Sequence, residues 1–337
     1  MASVTMGRLR NAGDRAAGGR ELTVTILVLA LIAMLLRAIT SAGIAQVQDF
    51  LLVLGSLLIE AVPFILLGAL VSASIEVFVP ASAFEKIARL PRPLQLPAAG
   101  FAGMAFPVCE CGSVPVARRL AAKGLAPAAA VTFMLSAPIV NPVVLASTFI
   151  AYRGRTVQWT MVLGRAGLGL IAAMAVGWVI SRQTSVGFLK QRPGDAETHQ
   201  HEGGSRLTAF FGHVSGDFLF MGRYLVLGAA VAAGLQTFVP QSIIGSVAGT
   251  PVLDLLAMML LAFLLSLCSE SDAFVAASFV QFGVGAQLAF LVFGPMLDTK
   301  LGFLYAGTFS RGFFRIVLVV VAAVTLAGAL WFEVFFG

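Results

Sequence analysis

Charge is what this sequence has least of. Only 11% of its 337 residues are charged, whereas 59% are hydrophobic, and a soluble domain carries about 25% charged residues. Several apolar runs approach the roughly 20 residues needed to cross a bilayer. An ordinary water-soluble domain is therefore excluded, and we expect an all-α polytopic membrane protein. Its net charge of +6 then marks basic loops on one side of a membrane, not a nucleic-acid surface.

Other absences narrow the function. Three cysteines are too few for a disulfide framework. No glycine-rich loop ends in Lys-Ser or Lys-Thr, so we expect no ATPase, no cofactor and no enzyme. No small-residue cleavage site follows the first apolar run, so we expect no cleaved signal peptide. His199 and His201 could bind a metal, but a solvated loop is the simpler interpretation.

The alternation of polar and apolar stretches divides the chain into five parts. They are a basic tail (1–21), an extra span with a loop over 41–49 (22–49), a first repeat (50–180), a polar cytoplasmic linker (181–209) and a second repeat (210–337).

The two long parts are related in sequence. Residues 64–84 and 224–244 are identical at 9 of 21 positions. At nearly the same offset, Cys109 aligns with Cys268 and Pro138 with Pro295. Internal repeats of this kind are typical of secondary transporters.

Loop charges predict the relative orientation of the repeats. If residues 97–123 and 251–282 each cross the membrane, about 11 loop cations lie on the cytoplasmic side and 7 on the opposite side. If each segment is a hairpin that enters and leaves on one side, about 16 loop cations lie on the cytoplasmic side and 2 on the opposite side. The positive-inside rule favours this second division. We therefore expect inverted repeats with a cytoplasmic N-terminus in the inner membrane. The hairpin tips should face a cavity near the midplane, because irregular backbone is not tolerated against lipid.

Prolines predict where helices break, since proline removes a helical hydrogen bond. The predicted breaks are Pro107 and Pro115 in the first hairpin and Pro138, Pro142 and Pro295 in the following spans.

Two motifs carry a family resemblance: CECGSVP at residues 109–115 and FGPMLDTK at residues 293–300. With them, the chain from about residue 50 to 336 resembles the ArsP/YraQ-type predicted permeases, a family that includes efflux permeases for trivalent organoarsenicals. The resemblance implies an inner-membrane permease for a small molecule or metalloid.

The cysteines suggest a soft ligand site. In extended backbone the side chains of Cys109 and Cys111 point the same way, and thiolates suit thiophilic species such as Cu(I), Zn(II) or, by the same logic, trivalent arsenic. Cys268 would supply a third sulfur if the tips meet. Alternatively, the cysteines are small buried hydrophobic residues.

Polar residues in apolar surroundings complete the predicted site. Ionisable groups in a membrane usually mark pathways or pair with one another, and burial favours the protonated form of a carboxyl group. The acids are therefore candidate proton carriers, unless they lie in solvated interfacial loops. Serines would line the tips or cap helices, and Arg165 would bind an anion or form a structural ion pair. The predicted residues are Glu110, Ser113, Asn141, Ser269, Glu270, Ser271 and Asp272 for binding, and Asp298, Lys300 and Arg165 for coupling.

The sequence thus predicts a secondary-type permease that exports a thiophilic solute such as a trivalent organoarsenical. A homo-oligomer is compatible with this prediction. Two alternatives remain. One is a permease for another soft metal or sulfur compound. The other is a membrane thiol-redox protein, although redox pairs usually have two residues between the cysteines.

Overall fold

The computed structural model describes residues 44–80, 91–104, 108–182, 206–238 and 251–336. The predicted tail, the first span, most of the linker with its two histidines, and Pro107 lie outside these ranges. The described residues are helices joined by short turns, as expected for an all-α membrane protein. In the first half, the helices are α1 (Ile44–Phe78), α2 (Arg92–Ala102), α3 (Glu110–Ala122), α4 (Pro127–Val140), α5 (Pro142–Ala151) and α6 (Gln158–Arg182).

In the second half, the helices are α7 (Arg206–Phe238), α8 (Pro251–Leu265), α9 (Asp272–Ser278), α10 (Val284–Met296), α11 (Thr299–Thr308) and α12 (Arg311–Phe336). The predicted boundaries need small corrections. Helix α1 begins inside the stretch that was expected to be a loop (41–49), and α6 and α7 extend into both ends of the predicted linker.

Six described stretches are long and apolar enough to cross a membrane: α1, α6, α7, α12, the pair α4–α5 and the pair α10–α11. The two pairs are the central ones. In each pair 83% of the most apolar 18 residues are buried inside the protein, against 17% in α1. The protein is therefore a multi-pass membrane protein with two broken spans in its core. Its location in the inner membrane and its cytoplasmic N-terminus stay predictions.

The first predicted hairpin is a pair of short helices. Ser136 Oγ of α4 donates a hydrogen bond to the Gly100 carbonyl of α2 at 2.9 Å, and a Cβ at Gly103 would lie 2.7 Å from Ala137 Cα. The end of α2 therefore lies beside the end of α4. A short turn returns α3 antiparallel along α4, so the start of α3 lies at the same level. With 11 and 13 residues, the arms are each about 16–20 Å long at 1.5 Å per residue.

The second half repeats this arrangement. Thr299 Oγ1 donates to the Phe263 carbonyl at 2.8 Å, which places the end of α8 beside the break between α10 and α11. Helix α9 then leads back through a turn to the start of α10. Tyr152, just after α5, donates through its hydroxyl to Gln287 Oε1 of α10 at 2.8 Å. The two broken spans therefore run in opposite directions, as inverted repeats require; the repeat itself stays a prediction.

Three of the proline expectations need correction. Pro115 lies inside α3 and does not break it, because packing holds the helix despite one missing backbone bond. Helices α4 and α10 likewise continue through Pro138 and Pro295 and end shortly afterwards. Pro142 is the first residue of α5, where its missing N–H has no helical partner to lose. The break before it is capped by Asn141, whose side chain accepts from the Val143 N–H at 2.9 Å.

Candidate functional site

The tips of the two hairpins meet in the core. Ser269, in the turn between α8 and α9, donates through Oγ to Glu110 Oε2 at the start of α3, at 3.0 Å. Ser269 is 0% exposed and Glu110 is 2% exposed. Residues far apart in the sequence thus place a carboxyl group and a hydroxyl group in contact inside an apolar protein.

The first tip is the N-terminus of α3. Cys109 is the extended residue that precedes the helix, Glu110 is its first residue, and Cys111 is already helical. The two thiols therefore straddle a helix start and do not share one extended strand, which corrects the expected geometry. A carboxylate at this position is favoured by the helix dipole. Ser113 does not reach the other tip in this structure, since its Oγ donates to the Glu110 carbonyl at 2.9 Å.

Close backbone contact fixes this tip against α1. A Cβ at Gly68 would lie 2.5 Å from Gly112 Cα and 2.8 Å from the Gly112 carbonyl oxygen. Only glycine allows this approach, so the α1–α3 contact depends on the absence of a side chain at residue 68.

The second tip begins with an unusual backbone conformation. Ser266 has φ +47°, a left-handed conformation that costs a non-glycine residue roughly 1–2 kcal/mol. Its hydroxyl oxygen accepts from the Thr299 N–H at 3.1 Å and donates to the Phe263 carbonyl at 3.1 Å. These bonds turn the chain out of α8 and attach the tip to the start of α11.

A mixed sulfur and oxygen cluster lies where the tips meet. One ligand atom each from Glu110, Cys268 and Glu270 lies within 4.8 Å of the others, and Cys268 Sγ donates to Glu270 Oε2 at 2.7 Å. Glu270 is partly exposed, whereas the other two are buried. This set could hold a metal ion. Within the described residues, Cys109 and Cys111 do not belong to such a set, although both are free and buried.

A buried lysine lies beside this cluster. Lys300 Nζ lies 3.9 Å from Glu110 Oε1 and 3.9 Å from Asp298 Oδ2. Asp298 precedes α11 and caps it, since its Oδ1 accepts from the Leu301 N–H at 2.6 Å. Its Oδ2 is buried and has no hydrogen-bond partner among the residues that the structure describes. The break between α10 and α11 therefore presents a positive and a negative group to the first tip.

Arg165 forms an ion pair with the second tip. Its Nη1 and Nη2 lie 2.9 and 2.7 Å from the two carboxylate oxygens of Asp272. Nη1 also donates to Thr148 Oγ1 at 2.8 Å, and Nη2 to the Ser269 carbonyl at 3.1 Å. Of the roles predicted for Arg165, the structure shows the ion pair, and this pair holds α9 and Ser269 in place.

One further predicted residue lies at the edge of the site. Ser271, the residue before α9, makes no side-chain cap for that helix. Its hydroxyl donates to Glu60 Oε1 of α1 at 3.3 Å, so Glu60 belongs to the same polar region.

A second polar cluster was not predicted from the sequence. Arg119 Nη2 lies 3.4 Å from Asp217 Oδ2 and 3.2 Å from His213 Nδ1, and Ser72 Oγ donates to Asp217 at 2.9 Å. Arg119 also lies 3.6 Å from Glu76. The cluster joins α1, α3 and α7 away from the tips. An aspartate inside an apolar helix was the signal that could have indicated it.

A polytopic fold with buried ionisable groups at the junction of two broken spans is the architecture of a membrane permease. The chain belongs to the ArsP_1 predicted permease family, whose family model matches residues 46–333.

Curated relatives agree with this family. UPF0718 protein YcgR of Bacillus subtilis is 40% identical over 279 residues, which cover 82% of this chain and 94% of that protein. A Streptococcus mutans protein, provisionally named a two-component membrane permease complex subunit, is 36% identical over 260 residues, covering 76% and 85% of the two chains. No solved structure matches this chain significantly.

Proposed function

We propose that this protein is a secondary-type permease that binds a small thiophilic solute between the hairpin tips and exports it. The observation that carries the proposal is the contact between Ser269 and Glu110, which brings Cys268 and Glu270 to the start of α3. Ionisable groups buried in a membrane protein are costly and mark transport pathways by default.

The position of the site suits alternating access. The first tip and the second tip belong to opposite halves of the chain, and a hydrogen bond from Ser269 to Glu110 joins them. A displacement of the first tip relative to the second would separate Ser269 from Glu110 and change the access to the site. Transporters with broken spans place their substrate sites at such junctions.

The thiols set the class of solute. Cys109 and Cys111 lie at the start of α3, Cys268 lies in the opposite tip, and all three are buried as free thiols. Soft ligands favour soft partners. The solute class therefore comprises a trivalent organoarsenical or, as the alternative, a soft metal ion or a sulfur compound. One of the acids Glu110, Glu270, Asp272 or Asp298 is the proposed carrier of the coupled proton.

Accumulation in cells tests this proposal. Trivalent methylarsenite and Cd²⁺ are supplied separately to cells that carry an empty vector, the wild type, or the double variant Cys109→Ser/Cys111→Ser. We expect the wild type to lower the accumulation of at least one solute, and the double variant to lose that effect. The matched control is Ser278→Ala, an exposed position on α9, at equal protein level. Equal accumulation of both solutes in all strains would contradict the proposal.

A further inference from the structure

We propose that Glu110, Cys268 and Glu270 bind a divalent thiophilic cation such as Zn²⁺, and that this cation displaces the ammonium group of Lys300 from Glu110. The inference rests on the proposed function and names the solute for the same site. It also assigns Lys300 a role, because its ammonium group would balance the charge of Glu110 whenever no ion is bound.

The ligand set fits such a cation in type and in spacing. Zn²⁺ binds cysteine sulfur at about 2.3 Å and carboxylate oxygen at about 2.0–2.2 Å, usually with four ligands. Ligand atoms around one ion then lie about 3–4 Å apart, and the atoms of Glu110, Cys268 and Glu270 already lie within 4.8 Å of one another. Side-chain rotation is enough to close the remaining gap, since Glu270 is partly exposed.

The same set disfavours other solutes. Trivalent arsenic and Cu(I) select sulfur ligands, so they suit the thiols of Cys109 and Cys111 better than this set, in which one sulfur lies with two carboxylates. Mg²⁺ and Ca²⁺ select oxygen ligands alone, and Cys268 stands between the two carboxylates. Two carboxylates and one sulfur therefore favour a divalent ion of intermediate softness, and their negative charges offset its charge.

Lys300 already supplies a positive charge beside the cluster, so a bound cation would have to compete with its ammonium group. Its ammonium group lies 3.9 Å from Glu110 and 3.9 Å from Asp298, which is beyond hydrogen-bond distance for both carboxylates. Asp298 Oδ2 meanwhile lacks a hydrogen-bond partner although the residue is fully buried. A buried acceptor without a partner costs free energy, so a donor that moved to Oδ2 would stabilise Asp298.

Cation binding would resolve this arrangement. An ion at Glu110 repels the ammonium group, which then moves toward Asp298 and donates to the free Oδ2 atom. The movement needs only the flexible side chain of lysine, because the backbone is held in place. A Cβ at Gly228 would lie 2.9 Å from Lys300 Cα, so α7 packs directly against the lysine backbone. Ion binding at one tip thereby changes the ion pair at the break of the opposite half.

Binding to the purified full-length protein tests the inference. Zn²⁺ binding is measured by calorimetry in detergent, with Mg²⁺ as a probe that should not bind. We expect one Zn²⁺ per chain. Glu110→Gln, Cys268→Ser and Glu270→Gln should each weaken binding about tenfold or more. Loss of a residue that only hydrogen-bonds to a metal ligand already costs about that much, and these three residues are the proposed ligands themselves. Glu76→Gln, a carboxylate outside the site, is the matched control and should leave the affinity unchanged.

Lys300→Met gives the sharper result. Removal of the competing ammonium group should tighten Zn²⁺ binding about tenfold, the ratio for 1.4 kcal/mol, whereas a purely structural lysine would give unchanged or weaker binding. Unchanged or weaker binding in a monodisperse Lys300→Met protein would overturn the displacement. If that variant does not fold, Lys300→Gln, which keeps a polar side chain, replaces it with the same expected direction.

The outcomes separate this inference from the proposed function. If the wild type binds no Zn²⁺ but still exports methylarsenite, the cation site is wrong and the permease stands. If the purified protein binds Zn²⁺ through these ligands but exports neither solute, the site is correct and the transport role fails.

Discussion

Replacement of Asp272 by alanine should destabilise the fold strongly. The carboxylate pairs with both terminal nitrogens of Arg165 at 2.9 and 2.7 Å, and the two residues are 2% and 0% exposed. Without Asp272 the guanidinium stays buried with no opposite charge. Its Nε already lacks a partner within the described part of the chain, so no contact of that atom offsets the loss.

The magnitude follows from the geometry. Removal of one partner of a buried, hydrogen-bonded ion pair typically costs about 3–5 kcal/mol, and replacement of both partners by apolar residues is often nearly neutral. We therefore expect Asp272→Ala to lower the unfolding free energy by that amount and Arg165→Met/Asp272→Leu to recover most of it. At about 2–4 °C per kcal/mol, the single variant should unfold roughly 6–20 °C lower.

Thermal unfolding in detergent measures this difference. The control is Ser278→Ala, which removes an exposed hydroxyl on the same helix and should leave the midpoint unchanged. An Asp272→Ala midpoint within 2 °C of the control, taken as roughly the shift for 1 kcal/mol or less, would refute the argument. A double variant as unstable as the single one would show that packing, not the unpaired charge, sets the loss.

Two further changes test how the tips are positioned. Gly68→Ala should disrupt the α1–α3 contact and lower transport, since the new Cβ would lie 2.5 Å from Gly112 Cα. The control is Gly55→Ala, which should be tolerated because its Cβ would meet no described atom within 4 Å. Equal transport by both variants would count against the close contact. Asn141→Ala removes the acceptor for the Val143 N–H and should cost about 0.5–2 kcal/mol of stability. No change in the unfolding midpoint would show that the cap contributes little.

Much of the fold follows from local features of the sequence. Long apolar runs and few charges indicate a membrane protein. Its spans must be helical because unpaired backbone groups cannot face lipid. The helix ends shortly after Pro138 and Pro295 were predictable only approximately, because proline removes a helical hydrogen bond but both helices continue through it. Pro115 was misjudged, since packing of α3 against its neighbours decides whether one lost hydrogen bond breaks a helix.

The site could be predicted only as a set of residue types. Cys109, Glu110 and Cys268 were recognisable because polar groups in apolar surroundings are unusual. Their grouping was not predictable: the cluster close enough to hold an ion has Cys268 with two carboxylates, and the thiols of α3 lie outside it. Side-chain direction at a helix start depends on where the helix begins, and spacing alone does not reveal this.

The sequence by itself determined the class of this protein, its family and the ionisable residues in its core, because hydropathy and motifs are local properties of the chain. Only the tertiary structure decided which of those residues meet. Glu110 contacts a serine 159 positions away, and Arg165 pairs with an aspartate 107 positions away. Such partners are set by the packing of helices from the two halves of the chain, since a buried charge is stable only where another element of the fold brings its partner.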